Sequence, residues 1–214
     1  MIAKGAAEVT RRRAKGQSRE DLVVGAAAQA IRELGLSNVR VSDVAERAGM
    51  TPGHVTYYFP SKNDLLMRAI RLSEESLTAQ VAEEIRRIRD PWKRLDRLIS
   101  LSAASGPGDP GWILWFQVWL TAANDPDIAR VHDELDAAWR AILTDVIRYG
   151  CDRGAFETDD PAAVALTLSA VIDGLSIQLT LGSSSLNRAE LLQACGTAAR
   201  LHLRPGAAAT ADRS

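Results

Sequence analysis

Only two cysteines occur in this 214-residue chain, Cys151 and Cys195, and neither has a CxxC partner or zinc-ligand spacing. That excludes a disulfide framework and a structural zinc site, and fits two reduced thiols, buried or half-buried, in a cytosolic protein. Histidine is as scarce. His54, His132 and His202 stand far apart, each reading as a surface or capping residue, with His132 placed to pair with Asp136 one helical turn on. There is no P-loop, no GxSxG, no HExxH and no GxGxxG after a strand, so no catalytic residue, metal ligand or cofactor is expected. The N-terminus has charges but no apolar core of a signal peptide. The most apolar run, Val164–Leu181, is interrupted by Thr167, Ser169, Asp173, Ser176, Gln178 and Thr180, which argues against a membrane span. No run reads as a strand with turn punctuation on both sides.

What is present is helical periodicity almost throughout. A first helix opens at Ser18 with Asp21 three residues on, an acidic capping box. Leu22, Val23, Ala26, Ala27, Ala30, Ile31 and Leu34 make its apolar stripe, and Gly35 closes it. A second helix spans about Ser42–Ala48 and ends at Gly49. A third starts with Thr51 as cap and Pro52 at the first helical position, where the missing N–H costs nothing; Pro60 stops it. Ser61 and Asp64 cap a long fourth helix reaching about Arg89. Five more are expected at about Pro91–Ser105, Gly111–Asn124, Asp127–Arg153, Pro161–Gly182 and Asn187–Leu203. The fold class is therefore all-α, about nine helices, with a small three-helix head and a helical bundle behind it.

Charge divides along the same line. The net is −1 overall, but residues 1–65 carry +3 and residues 66–214 carry −4. Lys4, Arg11, Arg12, Arg13, Lys15 and Arg19 face only Glu8 among the first residues. A basic head on a mildly acidic body points to a polyanion partner for the head alone.

The stretch Val41–Leu66, VSDVAERAGMTPGHVTYYFPSKNDLL, says which polyanion. Two short helices joined by a tight glycine turn are a helix-turn-helix, the unit that lays its second helix in the DNA major groove. Val55 and Phe59, at i and i+4, share the inward face of that helix and should pack on the first two helices through Ala26, Ala30, Val44, Ala45 and Ala48. The opposite face carries Gly53, His54, Thr56 and Tyr57, with Tyr58 on its flank. Exposed His and Tyr suit edge contacts to bases and phosphate oxygens, and Gly53 lets the backbone come close. The N-terminus of the fourth helix, with Lys62, is a phosphate site. Arg11–Arg13 can reach an adjacent minor groove.

These residues resemble the DNA-binding domain of the TetR family of one-component bacterial regulators. The match lies in Val44-Ala45, Ala48-Gly49, Thr51, Gly53, Phe59, Ser61-Lys62 and Leu65-Leu66, and covers roughly residues 18–70. The resemblance implies that Ser42, Thr51, Pro52, Gly53, His54 and Tyr57 approach bases or adjacent backbone, and that Thr56, Tyr58 and Lys62 hold phosphates. Two departures stand out. Thr56 occupies a position often held by Tyr, with the aromatics moved to Tyr57 and Tyr58, a variant similar to the branch of choline-responsive (BetI-like) regulators. Arg40 stands where Ser or Thr is frequent, so the phosphate contact there becomes an ion pair or is lost.

One reading head covers too few base pairs, so a two-fold homodimer on a palindromic operator is expected. On the eighth helix Val164, Leu168, Val171, Leu175 and Leu179 form a continuous stripe, and the ninth adds Leu191 and Leu192. The eighth is apolar on most sides and must be buried on most sides; the TetR resemblance implies a four-helix dimer interface from these two helices. The body's other feature is Trp112-Ile-Leu-Trp-Phe-Gln-Val-Trp119, which aligns Trp112, Trp115 and Trp119 on one face beside Phe116, with Trp139 on the next helix. Core packing accounts for such residues. So does an effector pocket with a few polar groups, Gln117, Asn124, Asp173 and Gln178, whose rings can hold a cationic amine. The two readings are compatible, with some of the tryptophans in the core and others lining a cavity.

The domain division expected is a flexible basic arm at 1–17, a helix-turn-helix domain at 18–62, a ligand-binding and dimerisation domain at 63–204, and a disordered tail at 205–214. The function expected is a cytoplasmic transcriptional regulator, read as a repressor, that binds double-stranded operator DNA and is released by a small-molecule effector. The alternative is an architectural DNA-binding protein without an effector.

Overall fold

The computed structural model describes residues 19–205; the arm, the Ser18 cap and the tail beyond Pro205 lie outside them. The chain forms two compact units, residues 1–75 and 76–214. The dividing point falls inside the fourth helix, well past the 62/63 boundary expected.

In the first unit, α1 covers residues 19–34, α2 is Val41–Arg47, α3 is Pro52–Tyr58, and α4 begins at Lys62 and runs to Arg86. Its core is built mostly of small side chains. Val23, Ala27, Ala30, Val44, Ala45, Val55 and Leu65 are each at most 1% exposed. Leu22 and Leu34, expected in the α1 stripe, are exposed instead at 56% and 37%. They flank the stripe, and the two residues that alternate best with the buried alanines are Val23 and Ile31. Ala48 is half-buried. Arg47 of α2 pairs with Glu33 of α1 at 2.5 Å, and this contact holds the Glu33 carboxyl below its usual range.

The turn between α2 and α3 is closed by Gly49 at φ +63°. Its N–H donates to Glu46 O, and the N–H of Met50 reaches back to Ala45 O at 2.9 Å. This pair of bonds is a Schellman closure, which requires a left-handed residue where glycine stands. Thr51 then accepts from the His54 N–H, Pro52 opens α3, and Pro60 ends it.

In the second unit, α5 is Pro91–Ser102, α6 is Pro110–Ala122, α7 is Pro126–Asp152, α8 is Pro161–Thr180 and α9 is Arg188–His202. Four of them start alike. Asp90, Asp109, Asp125 and Asp160 each cap the free N–H groups of the first turn, and the following proline occupies the first helical position. The two interior starts expected at Gly111 and Asp127 therefore move back by one, because Asp-Pro here begins a helix rather than merely breaking one. α9 opens with a true capping box: Asn187 accepts from Ala189 and Glu190, and Glu190 returns to the Asn187 N–H at 2.8 Å.

Contrary to the strand-free expectation, β1 (Phe156–Glu157) pairs antiparallel with β2 (Arg204–Pro205), Phe156 opposite Pro205 and Glu157 opposite Arg204. Two residues a side are too few for an alternating pattern to register. The body core joins Val81 and Ile85 of α4 to Leu95, Leu98 and Ile99 of α5, Leu143 and Ile147 of α7, Leu168 of α8, and Leu191 and Cys195 of α9. α8 is long and apolar enough to cross a membrane, with a mean hydropathy of 1.7. Its Leu168, Ile172 and Leu179 nevertheless pack into this core, and its Ser176 hydroxyl accepts the Ala104 N–H at 3.1 Å.

Candidate functional site

The outward face of α3 is presented as its capping dictates. Thr51, Pro52, Gly53, His54, Thr56 and Tyr57 are all exposed, while Tyr58 is half-buried at the flank. Val55 and Phe59 turn inward at 0% and 6% exposure. Tyr57 is 79% exposed, and its ring meets the edge of Tyr58 at 5.3 Å, which fixes the direction in which the phenol projects. The His54 imidazole leans on Thr51, Nδ1 to Oγ1 3.3 Å. The Thr56 hydroxyl donates to the carbonyls of Pro52 and Gly53, both at 3.2 Å, so only its lone pairs and methyl group face outward.

Around α3 stand the other residues expected at a phosphate backbone. Ser42 and Arg40 are exposed at the start of α2. The Arg40 N–H is held by Asp43 Oδ2 at 2.8 Å, so the backbone does the capping and the guanidinium stays in solvent. Lys62 is the first residue of α4 and exposed, beside first-turn N–H groups of which Ser61 takes those of Asp64, through its hydroxyl at 3.3 Å, and Leu65, through its carbonyl at 3.2 Å. Free donors, a partial positive charge and an ammonium converge there. Arg11–Arg13 lie outside the described residues.

In the second unit, α6 brings Trp112, Trp115, Phe116 and Trp119 to one half-buried face. Trp112 and Trp119 meet edge to face at 6.0 Å, and Phe116 lies 5.8 Å from Trp119. A member that sequence reasoning missed closes the cluster. The Trp119 Nε1–H donates to His132 Nε2 of α7 at 2.8 Å, and the His132 ring also stands 5.9 Å from Trp115. The expected His132–Asp136 pair does not form, because Asp136 is taken by Arg140. The short turn between Ala122 and Pro126 lays the end of α6 against the start of α7, and that tight helical hairpin was the available signal.

Trp139 belongs elsewhere. It packs on the body core and its Nε1–H reaches Ser102 Oγ at 3.2 Å, so of the two readings of the tryptophans it takes the core one. Gln178 is exposed. Asp173 is half-buried on α8, in a polar line Ser169, Asp173, Ser176, Thr180 at helical spacing. Burial pushes its carboxyl up to about 6, against a smaller opposing pull from Arg140. The Thr180 hydroxyl is buried without a hydrogen-bond partner. An open groove of about 490 Å³ between α7 and α8, lined by Ala137, Arg140, Ala141, Thr144, Ala162 and Leu166 among others, contains no ring and none of the expected pocket residues.

The dimer residues divide sharply. Val164, Leu168, Leu179 and Leu191 are at most 7% exposed within the single chain, so the body's own core takes them and leaves nothing for a second copy. Val171, Leu175 and Leu192 are half-buried. The surface that α8 offers outward is instead Ala163, Leu166, Ala170 and Gly174, continued by Leu181 just past its end, with Leu201 on α9 at 77% exposure.

Comparison with known proteins agrees with both halves. Residues 23–69 match the bacterial regulatory proteins of the tetR family. Residues 91–204 match the C-terminal region of BetI-type transcriptional repressors. Among curated proteins, the HTH-type transcriptional regulator BetI of Agrobacterium fabrum is 28% identical over 172 residues, 80% of this chain and 81% of its own. BetI of Proteus mirabilis is 26% identical, covering 80% and 85%. Among solved structures, a transcriptional regulator from Saccharomonospora viridis in complex with choline superposes with a TM-score of 0.73 at 28% identity, over 87% of this chain and 98% of that one. A TetR regulator from Haloarcula marismortui, at 22% identity and a TM-score of 0.68, shares the fold.

Proposed function

Since the chain belongs to the TetR family of transcriptional regulators, with a C-terminal half of the BetI type, we propose that it works in the cytoplasm as a homodimeric repressor released from its operator by a small cation of the choline type. α3 enters the major groove with His54 and Tyr57 toward base edges and Gly53 against the backbone, while Thr51, Pro52, Ser42, Thr56 and Tyr58 frame it. Lys62 and Arg40 hold phosphates, which sets register without reading sequence. The two copies meet through the exposed small-residue face of α8 and Leu201 of α9, and an operator with half-sites one helical turn apart calls for two heads ~34–36 Å apart.

The observation that carries this reading is the half-buried ring cluster Trp112, Trp115, Phe116 and Trp119 in a body that needs no such cluster to bind DNA. Indole faces attract a quaternary ammonium by about 0.5–2 kcal/mol each, and the related regulator from Saccharomonospora viridis was solved with choline. Asp173 supplies the negative charge on the neighbouring helix. An effector that prefers a different spacing of the heads weakens DNA binding by the same factor by which DNA weakens effector binding.

Gel-shift titration of the purified protein on DNA from its own upstream region, with and without millimolar choline, tests this. Choline should raise the apparent Kd at least tenfold, and a scrambled duplex should bind far more weakly. Binding that is sequence-blind, salt-governed and indifferent to choline would make it an architectural DNA-binding protein instead.

A further inference from the structure

We propose that His132 is a specificity-determining residue of the effector site, acting as a proton-sensitive latch: its neutral imidazole holds Trp119 in place, and its protonation frees that ring and repels a cationic ligand. The proposal rests on the effector reading above and adds to it a residue and a regulation.

The geometry dictates the protonation state. An indole nitrogen can only donate, so an acceptor must face it. His132 Nε2 lies 2.8 Å from Trp119 Nε1 and must carry its lone pair there, which leaves the ring proton on Nδ1. An imidazolium has a proton on both nitrogens, so two N–H groups would confront each other and the bond would be lost. The His132 ring also stands edge-on to Trp115 and Trp119, at 5.9 and 6.4 Å. The same ring that fixes the indole is thus within reach of any cation resting on it.

The surroundings favour the neutral form. Burial holds His132 below the usual histidine range, ahead of an opposing contribution from Asp133 and a smaller depression from Arg140. On its own helix, Arg130 is engaged with Asp127 and Glu134, and Arg140 with Asp136. α6 brings no charged side chain at all. α8, packed on both α6 and α7, brings one titratable group, Asp173. The charged residues of α5 are engaged elsewhere: Arg94 on Tyr149, Arg97 on Glu84, and Asp96 on Arg200, with Lys93 in solvent. β1 contributes only the exposed Glu157.

Choline affinity should therefore fall as pH drops through the titration of His132, by roughly five- to tenfold between pH 8 and pH 5 for a cation held about 6 Å from a new charge. Asp173, whose carboxyl burial pushes up to about 6, would act in the same direction, so the test separates the two. Calorimetric titration with choline across this range is made on the wild type, His132→Gln, Asp173→Asn and the double variant. Glutamine still accepts the indole proton but cannot charge, so His132→Gln should keep only the part of the fall that Asp173 contributes, Asp173→Asn should keep the part due to His132, and the double variant should be flat with pH. A fall that survives in His132→Gln and vanishes in Asp173→Asn overturns the proposal. Nitrogen NMR of the histidine-labelled wild type tests the latch without any ligand: Nε2 should be unprotonated at pH 8, and the Trp119 indole proton should lose its protection from exchange on acidification. An Nε2 that carries the proton at pH 8 overturns the latch. Absence of choline binding at pH 8 overturns the effector reading, and the imidazole spectrum then decides on the latch by itself.

Discussion

Tyr57 and Lys62 illustrate how two exposed side chains a few residues apart carry different information. Tyr57 is rigid, projecting and braced by Tyr58, so it suits a base edge; Lys62 is a point charge at a helix start and suits any phosphate. Tyr57→Ala should cost about 1–3 kcal/mol on the operator and relax base preference, whereas Lys62→Ala should weaken every duplex alike and shallow the salt dependence. Gel shifts on matched and scrambled operators check this, and equal losses on both would undo the division. Asp173 makes a different prediction. Its carboxyl sits near 6 in the folded chain against 3.8 when solvated, so the unfolded chain ionises first. Stability present below pH 4 is lost as pH rises to about 6. Asp173→Asn should match the wild type at pH 4 and be more stable above pH 6. Such a displacement corresponds to at most ~3 kcal/mol, and the water still reaching the group reduces the expected gain to ~1 kcal/mol. Urea midpoints across that range measure it.

Helix beginnings were legible in the sequence because their chemistry is local. Thr51-Pro52 marks α3 and Asn187 with Glu190 marks α9, each within four residues. Helix ends were not, because distant groups decide them. α5 stops at Ser102 rather than Ser105: Ala103 turns extended, and the Ala104 N–H is claimed by Ser176, 72 residues away. α4 stops at Arg86, short of Arg89, where Arg94 takes the carbonyls of Arg86 and Ile88. The same limit hid the body's inner and outer faces. α8 is apolar on most sides, so periodicity found its stripes without saying which one its own chain would bury. Two glycines test elements directly. Gly49 has open space around it but φ +63°, so Gly49→Ala should cost about 1–2 kcal/mol through the backbone alone. Gly150 is the reverse case: a Cβ there would lie 2.1 Å from the Phe156 ring, so Gly150→Ala should cost about 1–3 kcal/mol by overpacking. Thermal melts separate the two by rescue, since Phe156→Leu should relieve only the second.

For the whole molecule, the head's caps and the inward Val55 and Phe59 were readable residue by residue while its α1 stripe was not, and the body was readable only as helices with a marked aromatic face. The head's work is done by short-range capping and a single outward face, whereas the body's depends on which helices meet. The proposed dimer is the prediction at this scale. Ala170→Glu puts a charge in the middle of the exposed α8 face without touching the core. It should give a monomer mass in sedimentation and lower operator affinity by ~100-fold or more, since the second head no longer binds at high effective concentration. A dimer that survives the substitution would send the interface elsewhere.

All five tryptophans, residues 92, 112, 115, 119 and 139, lie in the second compact unit, and two of the three tyrosines, Tyr57 and Tyr58, lie in the first. The chain is thus optically labelled by its own composition. Indole emission, excited at the red edge of its band, reports the body alone. Iodination or nitration of the exposed Tyr57 gives a separate colour for the head. Melting curves followed by the two signals either coincide or part. If they part, a single transition temperature describes neither unit, and the effector should move the indole curve first.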